Sequence, residues 1–272
     1  MPTNGPTTGQ IALVIVTIAF YIVGGAISLT RISFERPWSR IASKACLHAG
    51  VVISVAVLVW HAIARQSWVP LEDNFDTLVW LALSLAVFVM YVQAHKPIGG
   101  LDWFVMPIVL LLLIGAVITG TVMPREYKTA NLWLSVHLLT VFGGAVAFAI
   151  AGAGGAMYLV VNHRLRHKLT LAGPNMGSLE RLEHLMMTAV TLGFALLTIG
   201  AVTGLIKMHF EHQNPPLAKI ILSSAVWLVY ALVLHSPFNP SFRGRRAAML
   251  SIFGFGLMVG TVIAVLLLPS PA

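Results

Sequence analysis

Eight apolar stretches, most of them about twenty residues long, constrain this chain more than any other feature. They run Ile11–Thr30, Lys44–Ala64, Phe75–Ala94, Trp103–Val122, Asn131–Val161, His184–Leu205, Ala218–His235 and Ala247–Leu268. About twenty residues of helix cross a bilayer core about 30 Å thick. In lipid the backbone polar groups must be satisfied internally, which leaves helices or a closed barrel. A barrel would show segments of about ten residues with alternating polarity, and these runs do not alternate. Composition agrees: 58% of residues are hydrophobic and only 10% charged, against about 25% charged in soluble domains. A soluble fold of this size leaves too much surface wet to hide so much apolar area. The expected fold is therefore all-α: a polytopic membrane helix bundle of about eight transmembrane helices, in a single domain over residues 1–272. The segment Met1–Gln10 lacks the basic start of a cleavable signal peptide, so the first run reads as a retained helix. The fifth run is too long for a simple span and is expected to tilt or to continue beyond the membrane. Its Gly143, Gly144, Gly152, Gly154 and Gly155 predict close helix approach.

The basic residues test this count. Alternate loops, starting with the first, hold Arg31, Arg36, Arg40, Lys44, Lys96, Arg164, Arg166, Lys168, Arg181, Arg243, Arg245 and Arg246. The other loops and their edges hold only Arg65, Arg125, Lys128, Lys207 and Lys219. The positive-inside rule then predicts that both termini lie outside. Topology and anionic lipid account for the net charge of +8, and no nucleic-acid partner is expected. Ser178, after Pro174 and Gly177, is placed to cap a helix leading into the sixth span. Glu72, Asp73 and Asp76 fall in a short outer loop and read as a solvated face, and no internal repeat is evident. One cysteine, Cys46, permits neither an internal disulfide nor a CxxC motif.

Ionisable groups near apolar spans are functional candidates, and here they are histidines. His61, His137, His209 and His212 are expected near the outer rim, and His48, His184 and His235 near the inner one. His163 and His167 sit in a basic patch, and His95 in a loop. Neutral imidazole is a common ligand of transition metals and of haem iron. Two histidines on different helices can clamp a haem, whereas single histidines at headgroup depth are often interfacial belt residues. His209-Phe210-Glu211-His212 only loosely resembles a metal cluster, and no HExxH motif supports catalytic zinc. No nucleophile–base pair can be located, so no enzymatic activity of the chain alone is expected.

Several segments resemble the cytochrome c assembly protein family, in particular its small eight-span inner-membrane branch. They are Trp60-His61-Ala62-Ile63 with the following Pro70-Leu71 and Asn74, MPIVLLLLIGAVITGTVMPREY (106–127), LSVHLLTVFGGAVAFAIAGAGGAMYLV (134–160), SLERLEHLMMTAVTLGFALLTIGAVTG (178–204) and VWLVYALVLHSPFNPSFRGRRAAMLSIFGFG (226–256). The SLERLEH and RGRR segments are the most specific. The resemblance implies haem handling in cytochrome c biogenesis at the bacterial inner (cytoplasmic) membrane. It implies haem b held by His137, His235, His61 and His184, the iron-ligating pair being open. It also implies contact with membrane lipid, other maturation subunits and apocytochrome c, with thiol handling left to separate proteins because Cys46 is alone. There is one departure. Haem-delivering members carry a tryptophan-rich outer loop, whereas residues 204–219 here read GLIKMHFEHQNPPLAK, and the outer histidine of the last span is missing. The alternative function is thus a non-enzymatic accessory or regulatory membrane subunit, such as a haem-synthesis regulator or transporter partner, that does not deliver haem. A secondary transporter lacks support, because no mid-membrane charge marks a binding site.

Overall fold

The computed structural model describes residues 5–30, 37–95, 97–122, 132–167, 178–211, 217–235 and 244–267. Of the positions singled out above, Arg31, Arg36, Lys96, Arg125, Lys128, Lys168, Pro174, Gly177, His212 and Arg243 lie outside these segments. The described residues form eight helices and no strand: α1 (Thr8–Thr30), α2 (Pro37–Arg65), α3 (Asn74–His95), α4 (Leu101–Val122), α5 (Leu132–Arg166), α6 (Leu179–Glu211), α7 (Leu217–Leu234) and α8 (Arg245–Leu267). All but α7 are long and apolar enough to cross a membrane. At 1.5 Å per residue the 18 residues of α7 still reach about 27 Å. Large apolar side chains such as Ile41, Leu111 and Leu217 face outward, as expected where lipid is the solvent.

The helix ends explain why several helices begin earlier than hydropathy alone indicates. Thr7 and Gln10 form a reciprocal capping box: the Gln10 backbone N–H reaches Thr7 Oγ1 at 3.4 Å and the Thr7 N–H donates to Gln10 Oε1 at 2.8 Å. Pro37 occupies the first position of α2, where its missing N–H is harmless. Ser178 caps α6 as expected, its Oγ accepting from the Arg181 N–H at 3.3 Å. α5 does run on beyond its apolar stretch, as one 35-residue helix to Arg166.

The described residues divide into two compact units, those within 5–122 and those within 132–267. In the first, α1 packs on α2 and α4, and α3 on α2 and α4. α3 is the most enclosed helix, with 61% of its span buried against 28–39% for the other spans. In the second, α5 packs on α6 and α8, and α7 on the same two. Each unit is therefore a four-helix arrangement in which sequential helices are neighbours and the last returns to the first. The sequence shows no repeat, yet this order occurs twice.

The second unit is closely packed because α5 is rich in glycine on two faces. Toward α6, the Cβ position of Gly144 lies 3.4 Å from the Gly193 carbonyl oxygen. Toward α8, that of Gly155 lies 2.9 Å from the Ala248 carbonyl oxygen. Small residues at such crossings let backbones approach, which is how helices associate where lipid gives no hydrophobic drive. At the centre, Phe148 of α5 and Tyr230 of α7 stack with centroids 3.6 Å apart, both fully buried.

Candidate functional site

The first unit holds a buried ionic cluster where α2 ends and α3 begins. α2 closes in a Schellman arrangement: Gln66 takes φ 57°, its N–H donates to Ile63 O at 3.1 Å, and the Ser67 N–H donates to Ala62 O at 3.2 Å. α3 opens on Asp73, whose Oδ1 accepts the Asp76 backbone N–H, 2.6 Å away. Between them Leu71 adopts φ 66°, a strained left-handed conformation for a γ-branched residue, and so aims its N–H at Asp76 Oδ2, 2.8 Å away. These turns bring the Arg65 guanidinium onto both carboxylates: Nη1 lies 2.9 Å from Asp73 Oδ2 and Nη2 lies 3.3 Å from Asp76 Oδ2.

His61 completes the cluster. Its Nε2 lies 2.7 Å from Asp73 Oδ2 and its Nδ1 lies 3.2 Å from Gln10 Oε1, while its ring meets Phe75 edge-on at 5.0 Å. The Gln10 oxygen is fixed by the Thr7 N–H, so it faces His61 as an acceptor. Both imidazole nitrogens thus point at oxygen acceptors, and the capping box of α1 is tied through His61 to the start of α3.

The expectation that Asp73 and Asp76 form a solvated face is overturned. They are 5% and 2% exposed, and His61 is 1% exposed. The Arg65 guanidinium faces both carboxylates and His61 hydrogen-bonds Asp73, so their burial is tolerated. Burial pushes the Asp73 carboxyl up. The hydrogen bond from His61, the Asp76 backbone N–H and the charges of His61 and Arg65 outweigh that and hold it below the usual carboxylate range. An acid with a depressed folded-state pKa contributes stability that is fully present above its unfolded value of about 3.9 and is lost as pH falls through the folded value. Acidification from pH 5 to pH 3 is accordingly expected to lower the melting temperature of the detergent-purified chain, and Asp73→Asn to shrink that dependence. A dependence on pH equally steep in the variant would exclude Asp73 as its source.

The second unit places the other predicted histidines. His137, in the second turn of α5, donates from Nδ1 to the Gly200 carbonyl of α6 at 2.8 Å. Its ring lies over Gly204, whose Cβ position is 3.0 Å from His137 Cε1. Gly200 and Gly204 thus form a small-xxx-small step on which the imidazole rests. Because Nδ1 carries the proton, the neutral ring has its lone pair on Nε2. His184 lies sixteen residues before Gly200 on the same helix, about 24 Å along the axis. It is exposed, as is His235 just after α7. The α6–α7 pairing, marked by Trp227 Nε1 donating to Thr198 Oγ1 at 3.1 Å, puts His235 at the His184 end. His137 and the His184/His235 pair therefore occupy opposite ends of this unit.

The remaining histidines are local. His48 and His95 bond the carbonyls of Lys44 and Tyr91 one turn back. His209 is exposed near the end of α6. Among the described residues no group of three or more His, Cys, Asp and Glu side chains is arranged to hold a metal ion. Sequence reasoning missed Gln10 and Asp73 as partners of His61, and Arg65 as the partner of Asp73 and Asp76. The available signals were Thr7-x-x-Gln10 and Asp73-x-x-Asp76, both helix-start patterns.

An all-helical bundle of apolar spans defines a multi-pass membrane protein, and two of its histidines, His61 and His137, are held by acceptors outside their own helices. The family described as cytochrome C assembly protein matches residues 46–269, and the chain belongs to it. The chain is 27% identical over 224 residues to the inner membrane protein YpjD of Escherichia coli K12, covering 80% of this chain and 82% of that protein. It is 22% identical over 232 residues to the cytochrome c biogenesis protein CcsA of Guillardia theta, covering 75% of each. Its fold is similar to that of the cytochrome c haem lyase CcmF, with a TM-score of 0.61 and 14% identity over 93% of this chain. The chain spans half the length of that structure. It is thus a multi-pass inner-membrane protein of the cytochrome c assembly family.

Proposed function

We propose that the chain handles haem in cytochrome c biogenesis, with His137 as a ligand of haem b iron. The observation that carries this is the 2.8 Å bond from His137 Nδ1 to the Gly200 carbonyl. Iron-ligating histidines characteristically donate their second ring nitrogen to a carbonyl or carboxylate, which sets the tautomer and orients the ring. The donor set fits: with Nδ1 donating to the Gly200 carbonyl, Nε2 is the ring atom that would bind iron, and the carbonyl raises its basicity. Haem supplies the iron. This chain's residues hold the imidazole, which rests on the Gly200–Gly204 step of α6. Its relatives' names, which include a cytochrome c biogenesis protein and a haem lyase, favour the same chemistry.

His61, His184 and His235 have different standings in this reading. His61 would have to leave Asp73 or Gln10 to meet iron, so its part is to organise the α2–α3 end. His184 and His235 serve a second position at the other end of the unit. The absence of tryptophan from residues 204–219 favours holding haem over attaching it to a partner.

The test is an absorption spectrum of the chain purified in detergent after expression with added haem. A Soret band is expected, and His137→Ala should remove or shift it while His61→Ala leaves the iron spectrum in place. Colourless protein that takes up no haem on titration would overturn the reading.

A further inference from the structure

The end of the second unit where α5 stops and α8 starts carries a cavity of about 470 Å³. It is lined by Leu159, Asn162, His163 and Arg166 of α5, by His167 just after that helix, and by Arg245 and Met249 of α8. None of the described residues lining it is acidic. The size lies within the range of ligand sites, about 300–1,000 Å³. The spans of α5 and α8 end and begin at Arg166 and Arg245, so the cavity sits where the apolar part of each helix stops. The rings of His163 and His167, one helical turn apart, meet at 4.4 Å between centroids with planes tilted by 51°, which groups two imidazoles beside the arginines. The first turn of α8 adds the positive end of its dipole.

We propose that this cavity binds the phosphate of an anionic phospholipid headgroup. Two guanidiniums from different helices line the cavity, and the planar fork of each suits a phosphate better than a point charge does. Apolar Leu159 and Met249 beside cationic Arg166 and Arg245 suit a molecule that is anionic at one end and hydrocarbon at the other. A basic pocket between transmembrane helices at headgroup depth is the arrangement that takes such lipids. The site spans α5 and α8, so a bound headgroup bridges the two helices whose glycine-based contact begins about two turns deeper, at Gly155.

The test uses the full chain, delipidated in detergent and titrated with dioleoyl-phosphatidylglycerol, dioleoyl-phosphatidylcholine or inorganic phosphate. Native mass spectrometry reads retention and thermal unfolding reads stabilisation. Phosphatidylglycerol is expected to be retained and to raise the melting temperature, more strongly at low salt, and phosphatidylcholine to do neither. R166Q/R245Q should weaken retention about tenfold or more. R166K/R245K should keep part of it, and the charge-matched R164Q/R181Q, outside the cavity, should keep all of it. Equal retention of both lipids, or undiminished phosphatidylglycerol binding in a folded R166Q/R245Q, overturns the proposal. Stabilisation by inorganic phosphate as large as that by the lipid would assign the cavity to a soluble anion instead. None of these readouts involves haem.

Discussion

Replacing Arg65 with alanine is expected to destabilise the chain by about 3–5 kcal/mol, among the largest effects available to any single substitution in the first unit. The reason is asymmetry. Arg65 holds Asp73 at 2.9 Å and Asp76 at 3.3 Å, and both carboxylates are nearly inaccessible. Removing the guanidinium leaves two acids sharing a buried volume with only His61 to compensate. Arg65→Lys should lose less, because a point charge remains, but more than nothing, since one ammonium cannot fork across two carboxylates. Adding Asp76→Asn to Arg65→Ala should restore part of the loss, because the second buried charge disappears with its partner. Unfolding in detergent, by heat or by a denaturing surfactant, measures each step. A melting temperature of Arg65→Ala equal to that of the unaltered chain would mean that water reaches the cluster, and the burial argument would fail with it. Leu71 is predicted to respond as well, since the bond its N–H makes to Asp76 helps to hold its strained φ.

This cluster also shows where sequence reading stops. The eight spans were legible because apolar length against bilayer thickness is a one-dimensional property. The glycines of α5 were legible for a related reason: helix crossings in lipid select small residues, and Gly144, Gly152 and Gly155 do meet α6 or α8. The charged loop before α3 was misread. Asp73 and Asp76 look solvated in a linear window, and their burial depends on Arg65 and His61 at the end of the preceding helix. That pairing needs the Schellman turn at Gln66 and the reversal at Leu71, both positive-φ conformations at residues that do not announce them. His61 and His137 could be chosen as candidates from their positions alone. Their different chemistry could not, because it is set by the atoms opposite: a carboxylate and an amide oxygen for His61, a backbone carbonyl of α6 for His137.

The second large effect is expected at Gly155, where valine should destabilise the second unit by about 3 kcal/mol. An added Cβ would stand 2.9 Å from the Ala248 carbonyl oxygen and 3.5 Å from its carbonyl carbon. Those are backbone atoms of α8, so no rotamer change makes room. The helices must separate or shift in register. Separation would loosen Gly152 from Phe255 as well, whose Cβ already lies 2.9 Å from the Gly152 Cβ position. It would also disturb the Phe148–Tyr230 stack, because Gly254 of the same helix packs on the Tyr230 ring. α8 supplies its own comparison. Gly256 has nothing within 4 Å of its Cβ position, so Gly256→Ala removes only glycine's low helix propensity and is expected to be neutral or stabilising by up to about 1 kcal/mol. Thermal unfolding of the two variants in one detergent decides the matter. If both lose stability alike, the effect belongs to glycine in α8 and α5 generally and not to the close crossing. If Gly155→Val alone falls, the backbone contact with Ala248 fixes how α5 and α8 meet. The cavity formed by Arg166 and Arg245 at the end of those helices then depends on that same crossing.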